Sequence, residues 1–324
     1  MNSPFLKGLN MTEHNNNFKV DFFVVGMPRC GTTTLYELLK QHQKIFLPKM
    51  KEPHYFAQGR IKINKSRKIA WQETIDTFEE YKSLYNGSKE GQLNGDMSVS
   101  YSVSRIAPFK IKEHNPNSKI IMLFRDPITF LESNVKSMNY WGQEKTNDIE
   151  EAFFSQYTDI ADFARSTMYQ NPQRGHYDSW FQYELFAKRY LDIFGKDRVL
   201  FLLYDDIKEK PIETYTRICS FLGIEPEKNA KMPWENKSKV AKGSIITNLM
   251  MKPSVQKIRG VIPRSIRTPI GKFIMSFQKE DYKHIPKATP AFREMLMYEL
   301  MPMVRSLDEI TGLNAYKRWY GSDE

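Results

Sequence analysis

The chain has 324 residues, of which 40% are hydrophobic and 27% are charged, a composition typical of a soluble globular protein large enough to bury a substantial core. No run of about 18 apolar residues occurs, so the sequence predicts no transmembrane helix. The formal net charge of +10 indicates an anionic partner, and nucleic acid, a phosphorylated cofactor and an acidic glycan all fit it.

Residues 1–17 contain neither the apolar segment nor the small-residue cleavage site of a secretory signal. We therefore interpret them as a disordered leader to a single domain that spans residues 18–324. Cys30 and Cys219, the two cysteines of the sequence, are too few for a disulfide scaffold and do not have metal-ligand spacing. These features predict a cytoplasmic protein without a metal ion.

Three short apolar runs predict β-strands at residues 21–25 (DFFVV), 119–124 (KIIMLF) and 198–203 (RVLFLL). Each run is nearly continuous in apolar residues, as expected for strands that helices cover on both faces. Segments in which apolar residues have helical spacing follow the strands or precede them, at about 35–42, 180–190 and 209–224. The last segment has a proline in its first turn and a glycine near its end, which is typical of a helix.

A further helix is predicted at residues 291–311, where apolar side chains recur at helical spacing: Phe292, Leu296, Leu300, Val304 and Leu307. Strands that alternate with helices predict an α/β fold of three layers, with a central, mostly parallel sheet flanked by helices. Ligands of such folds bind beyond the carboxyl ends of the strands. Two motifs of this sequence, at residues 26–34 and 125–133, follow predicted strands at those ends.

The first motif, GMPRCGTTT at residues 26–34, lies between a predicted strand and a predicted helix. Gly31 permits close backbone approach, and the N–H groups and dipole of the first helical turn attract an anion. Arg29 adds a positive charge, and three hydroxyl groups add donors, on Thr32, Thr33 and Thr34. The sequence therefore predicts a P-loop-like phosphate-binding loop that holds a phosphate or sulfate group.

This loop differs from the pattern G-x-x-x-x-G-K-(S/T) of nucleoside triphosphatases, because Thr32 occupies the lysine position. The strand at 119–124 is followed by Arg125 rather than by a magnesium-binding aspartate. Since transfer of a γ-phosphoryl group depends on lysine and magnesium, a metal-free ligand with one phosphate at the loop is favoured. A P-loop kinase or nucleotide hydrolase with an atypical loop is the alternative.

The two motifs together resemble those of sulfotransferases that use 3′-phosphoadenosine 5′-phosphosulfate (PAPS). Residues 28–33 (PRCGTT) are similar to the family's P-(K/R)-x-G-(S/T)-(S/T) loop, and residues 125–133 (RDPITFLES) are similar to its R-(D/N)-P element, in which a serine follows the arginine by eight positions. The resemblance implies that the 5′-phosphosulfate end contacts Arg29, Cys30, Gly31, Thr32, Thr33 and Thr34. It implies that Arg125 and Ser133 bind the 3′-phosphate.

The resemblance is closest to sulfotransferases that act on carbohydrates, including the heparan sulfate type. Residues 51–56 (KEPHYF) are similar to a KE-x-HFF element in which the glutamate is the catalytic base, and residues 96–101 (DMSVSY) are similar to an acceptor-lining E-K-(S/T)-P-x-Y element. The resemblance implies acceptor contacts by Lys51, Asp96, Ser98, Tyr101 and His176. In the segment 236–244 it implies further 3′-phosphate contacts by Lys239, Lys242 and Gly243.

The implied reaction is an in-line transfer of a sulfuryl group from PAPS to a hydroxyl of a glycan, glycolipid or other glycoconjugate. Arg29 would neutralise charge on the departing oxygen, and Glu52 would remove the proton from the acceptor hydroxyl. His54 is the rival base, since its ordinary pKa lies nearer neutrality.

A basic, proline-punctuated segment at about 233–290 is interpreted either as a lid over an anion or as a solvated face. Part of it, at 251–277, is amphipathic and allows peripheral contact with a membrane surface. A noncatalytic nucleic-acid binder that uses residues 237–267 is the remaining alternative. The segment lacks interleaved aromatic residues, so the sequence predicts no nucleic-acid partner.

Overall fold

The computed structural model describes the following residues: 18–57, 75–140, 144, 146–155, 177, 180–231, 233, 240–241, 279–280 and 287–321. A five-stranded sheet forms the centre, with the strand order β2-β3-β1-β4-β5 and all neighbours parallel. Its strands are β1 (Phe22–Gly26), β2 (Ile45–Phe46), β3 (Leu93–Asp96), β4 (Lys119–Phe124) and β5 (Val199–Leu203). A separate antiparallel pair consists of β6 (Val240–Ala241) and β7 (Lys279–Glu280).

Ten α-helices are described, and they flank the central sheet: α1 (Thr32–Leu39), α2 (Phe78–Ser83), α3 (Ala107–His114), α4 (Pro127–Tyr140), α5 (Ile149–Phe154), α6 (Tyr183–Phe194), α7 (Tyr204–Glu209), α8 (Pro211–Leu222), α9 (Pro290–Thr311) and α10 (Ala315–Tyr320). Short 3₁₀ turns occur at Tyr55–Ala57, Val99–Tyr101 and Lys196–Arg198. The prediction of an α/β fold with a parallel sheet is confirmed.

The three strands predicted from apolar runs are present as β1, β4 and β5, within one residue of the predicted bounds. Every residue of β1 and β5 is buried, and so is every residue of β4 after Lys119. Burial on both faces is what the continuous apolar runs predicted.

Two strands were not predicted, β2 and β3. β2 has only two residues, and β3 has the sequence LNGD, in which asparagine, glycine and aspartate disfavour strands. Gly95 is required at its position, because a Cβ atom there would lie 2.2 Å from Cζ of Phe22 on the neighbouring strand. Packing against β1 therefore selects a glycine that weakens the local strand signal.

The predicted C-terminal helix is confirmed as α9, and its five apolar positions are all buried: Phe292, Leu296, Leu300, Val304 and Leu307. The first three join a core formed with α4 and α5, whereas the last two join the core around the sheet. Within the described ranges, no helix is both long enough and apolar enough to span a bilayer. Residues 1–17 and most of 233–290 lie outside the described residues, so the leader, the lid and the single-domain boundary remain predictions.

Candidate active site

The phosphate loop connects the end of β1 with the start of α1. Gly31 is the N-cap residue of α1 and has a φ of 77°, a left-handed conformation that glycine adopts without strain. A Cβ atom there would lie 3.1 Å from Cδ2 of Tyr204, so the loop backbone also packs closely against the start of α7. Burial raises the pKa of the Cys30 thiol to about 12, so this side chain is neutral and inert.

The two predicted phosphate-binding motifs are in direct contact. Arg29 Nε donates a hydrogen bond of 3.0 Å to Ser133 Oγ, and Arg125 Nη1 donates one of 3.0 Å to the main-chain oxygen of Arg29. The contact follows from the strand order, because the loops after β1 and β4 leave the same edge of the sheet. The left-handed φ of 60° at Arg29 is unusual for a side chain other than glycine, and the bond from Arg125 holds it there.

Arg125 is itself fixed from several sides. Its guanidinium lies over the ring of Tyr204, 4.6 Å from the centroid, and its Nε donates to Thr129 Oγ1 at 3.1 Å. Tyr183 OH donates to the main-chain oxygen of Arg125 at 3.0 Å. Asp126, the next residue, accepts from the N–H groups of the first turn of α4. The guanidinium is thus oriented before any ligand arrives.

The loop after β2 brings Lys51 to the start of α1. Lys51 Nζ donates to Thr33 Oγ1 at 3.0 Å and to Thr32 Oγ1 at 3.3 Å, and it forms an ion pair of 3.0 Å with Glu52. Thr32 occupies the position of the triphosphatase lysine, so a lysine from another loop supplies a cation beside this helix start. The arrangement places the Glu52 carboxylate next to the predicted 5′-phosphosulfate site.

His54 lies beside Glu52, with 3.5 Å between His54 Nε2 and Glu52 Oε2. Its Nδ1 shares a hydrogen bond of 2.7 Å with Ser100 Oγ. Burial lowers the pKa of His54, and the neighbouring Glu52 only partly offsets that effect. The imidazole is therefore neutral at neutral pH, and its Nε2 lies beside the carboxylate of the other candidate base.

Three residues predicted to line the acceptor site are fully buried: Asp96, Ser98 and Tyr101. The hydroxyl groups of Ser98 and Tyr101 donate to Asp96 at 2.7 and 2.9 Å, and burial raises the pKa of Asp96 to about 6 against these hydrogen bonds. The chain after β3 passes beneath the loop that holds His54, so these three side chains face that loop from below, and their contact with an acceptor stays a prediction. His176, Lys239, Lys242 and Gly243 lie outside the described residues.

Two residues that organise the site, Tyr204 and Tyr183, were not predicted from the sequence. Tyr204 directly follows β5, and the carboxyl end of a parallel strand was the signal that could have identified it. Tyr183 offered no such signal, since it lies in the first turn of α6 within an ordinary apolar stripe. The described residues contain no group of three or more His, Cys, Asp or Glu side chains that could hold a metal ion, and the expected absence of a metal stays a prediction.

A family model described as a sulfotransferase domain matches residues 19–284, and the chain belongs to this family of transferases. Human carbohydrate sulfotransferase 15 is 24% identical over 257 residues, which are 66% of this chain and 46% of the relative. Mouse heparan sulfate glucosamine 3-O-sulfotransferase 3A1 is 27% identical over 208 residues, 62% of this chain and 45% of the relative. The chain thus spans about half the length of these relatives.

The fold has a counterpart in the crystal structure of a sulfotransferase from Alicyclobacillus acidocaldarius, with a TM-score of 0.62 and 20% identity, over 93% of this chain and all of the other. The prediction of a cytoplasmic protein is wrong, because the matched relatives are carbohydrate and heparan sulfate sulfotransferases, which are not cytoplasmic. That prediction rested in part on the low number of cysteines. Cys30 and Cys219 are buried, so they report packing and not the redox state of a compartment.

Proposed function

We propose that the protein transfers the sulfuryl group of PAPS to a hydroxyl group of a carbohydrate or glycoconjugate. The observation that supports this proposal most directly is the contact of Arg29 with Ser133 and of Arg125 with the Arg29 main chain. These contacts join two phosphate-binding motifs that lie about a hundred residues apart in sequence. A nucleotide with phosphates at both ends of its ribose needs two such motifs side by side.

The 5′ end of the donor binds at the start of α1. The main-chain N–H groups from Cys30 onward and the hydroxyl groups of Thr32, Thr33 and Thr34 donate to its oxygens. Arg29 and Lys51 supply positive charge on this side. Arg125 and Ser133 bind the 3′-phosphate, since the guanidinium fork matches two phosphate oxygens. Lys239, Lys242 and Gly243 complete the 3′-phosphate site in this proposal.

The reaction is an in-line displacement at sulfur. A new bond forms between the acceptor oxygen and sulfur, while the bond between sulfur and the bridging oxygen of the 5′-phosphate breaks. The leaving group is 3′,5′-bisphosphoadenosine (PAP), and Arg29 and Lys51 stabilise the charge that develops on it. Glu52 removes the proton of the acceptor hydroxyl. His54, neutral and 3.5 Å away, orients the Glu52 carboxylate.

The acceptor class rests on the relatives and on charge. Two relatives are named for action on carbohydrates and on heparan sulfate glucosamine, and the formal charge of +10 favours an acidic acceptor. A carbohydrate hydroxyl is therefore proposed as the acceptor. Nucleic acid is not among the proposed partners.

Calorimetric titration of the full chain with PAP and with magnesium ATP tests the donor site. We expect PAP to bind without added metal and ATP to bind more weakly. Incubation with sulfur-labelled PAPS and a panel of glycan, glycolipid and phenolic acceptors then tests transfer. Magnesium-dependent ATP turnover without PAP binding would instead support the kinase or hydrolase alternative. Tight binding of RNA that PAP does not displace would support a nucleic-acid binder.

A further inference from the structure

A buried carboxylate lies beneath the loop that contains Glu52 and His54. Asp96, the last residue of β3, has no exposed surface. Ser98 Oγ donates to its Oδ1 at 2.7 Å, and the hydroxyl groups of Tyr81 and Tyr101 donate to its Oδ2 at 2.8 and 2.9 Å. An ionised carboxylate only accepts hydrogen bonds, so three hydroxyl donors match its needs.

Two of these donors continue to the loop above. Ser98 Oγ accepts a hydrogen bond of 3.1 Å from the main-chain N–H of His54. Tyr101 OH accepts one of 3.3 Å from the main-chain N–H of Phe56. Asp96 is thereby linked, through one hydroxyl on each side, to both ends of the turn from His54 to Phe56.

The turn needs this support because His54 has a φ of 56°, in the left-handed region that residues other than glycine seldom adopt. The orientation of the His54 ring depends on the same turn. The ring contacts Ser100 through Nδ1 at 2.7 Å and Glu52 through Nε2 at 3.5 Å. A shift of the turn would therefore move the carboxylate–imidazole pair relative to the phosphate loop.

We propose that Asp96 is a positioning residue that, through Ser98 and Tyr101, holds His54 and Glu52 in the geometry for removal of the acceptor proton. This inference rests on the proposed function and replaces direct contact between Asp96 and the acceptor. A role in core packing alone does not explain why position 96 has an aspartate, since an apolar side chain would fill a buried position without a charge. Burial of a carboxylate is costly, and its two relayed hydrogen bonds end on the loop of the candidate base.

Asp96→Asn and Ser98→Ala test the inference. Asparagine retains one acceptor oxygen for the two tyrosines, but its amide no longer accepts from Ser98. Alanine at position 98 removes the hydroxyl that receives the His54 N–H. We expect each change to lower kcat about 10- to 100-fold, as a displaced catalytic group does, with the Kd for PAP within about twofold of wild type. Asp96→Glu should recover part of the lost kcat.

Asp21→Asn is the matched control, because Asp21 also accepts a hydrogen bond from β3, at Asn94 N, but at the opposite edge of the sheet. It should leave kcat unchanged. A second measurement compares kcat of the double variant Asp96→Asn, Glu52→Gln with kcat of Glu52→Gln alone. If Asp96 acts by positioning Glu52, Asp96→Asn should lower kcat little further once Glu52 is absent. An equal loss of kcat with and without Glu52 would overturn the inference.

The failure of the inference and that of the proposed function are distinguishable. A wild-type protein that binds PAP and transfers sulfate, together with a folded Asp96→Asn variant of normal kcat, would overturn the inference alone. A wild-type protein without PAP binding or transfer would overturn both. If Asp96→Asn does not fold, Ser98→Ala decides, since it leaves the carboxylate and both tyrosine contacts in place.

Discussion

The two sides of the site are built in different ways. On the proposed phosphate side, formed by residues 26–34 and 125–133, β4 pairs with β5 along five residues, from Ile120 to Phe124. This pairing fixes where the chain leaves β4, and contacts with Tyr204 and Thr129 then orient the Arg125 guanidinium. On the proposed acceptor side, formed by residues 51–56 and 96–101, the neighbouring strands β2 and β3 pair over only two residues of β2, Ile45 and Phe46. There the geometry depends on hydrogen bonds that side chains make to one another and to main-chain N–H groups, such as those of Ser98 with Asp96 and with His54. The backbone of the proposed phosphate side is therefore set by longer strand pairing than that of the proposed acceptor side, which depends more on single side chains.

The largest expected effect is on the acceptor side. Glu52→Gln removes the proposed base while it keeps the size of the side chain, and we expect kcat to fall about 10²- to 10⁴-fold. PAP affinity should stay close to that of wild type, since Glu52 contacts Lys51 and His54 and not the phosphate motifs. Steady-state kinetics and calorimetry measure the two quantities.

Glu37→Gln, on the exposed side of α1, is the matched control for this change. Normal turnover of Glu52→Gln would move the role of base to His54. A large loss of PAP affinity in Glu52→Gln would show that Glu52 also contributes to PAP binding, so that the two sides of the site do not act separately.

The next largest expected effect is on the pH dependence of the free energy of unfolding, through the buried carboxylate of Asp96. Burial raises the pKa of Asp96 to about 6 in the folded protein, from an ordinary value of 3.8, so the folded state binds more protons between these values. The free energy of unfolding of wild type, relative to Asp96→Asn, should therefore fall as pH rises from about 4 to above 6. A shift of this size corresponds to roughly 3 kcal/mol.

Denaturant unfolding of both proteins at several pH values between about 4 and 8 measures this difference. Asp192→Asn, which removes an exposed carboxylate of α6, serves as the control. The constant offset between the variants is not informative, because the substitution also alters hydrogen bonds. If the difference in free energy of unfolding between wild type and Asp96→Asn does not change with pH, the pKa of Asp96 is not raised by folding.

The third effect lies on the phosphate side. Arg125→Ala removes a guanidinium that Tyr204 and Thr129 orient, and we expect PAP binding to weaken by about 1.5–3 kcal/mol, or roughly 10- to 150-fold in Kd. Arg198→Ala is the control, since Arg198 precedes β5 at the opposite edge of the sheet. Unchanged affinity of Arg125→Ala would contradict the assignment of the 3′-phosphate site.

The same contrast explains what the sequence could predict. The apolar strands at 119–124 and 198–203 and the loop with Gly31 have local signals, and these were enough to predict the parallel sheet and to place both phosphate motifs at one edge. β3 has no such signal, because Gly95 and Asp96 were selected by packing and by hydrogen bonds across the chain. The partner Tyr81 lies fifteen residues from Asp96, and no local pattern relates the two.

The smallest expected effect is on PAP affinity, and it concerns how much Ser133 contributes to PAP binding beside Arg29. Ser133→Ala removes one neutral hydroxyl, so we expect PAP affinity to fall only about two- to tenfold, corresponding to about 0.5–1.5 kcal/mol. Ser137→Ala, one turn further along α4, is the control. The Arg29–Ser133 contact of 3.0 Å predicts that the loss depends on Arg29, so Ser133→Ala should cost less in an Arg29→Ala background. If the losses of PAP binding free energy in the two single variants instead add up in the double variant, the two motifs bind their phosphates independently. The motifs would then be adjacent but not energetically coupled.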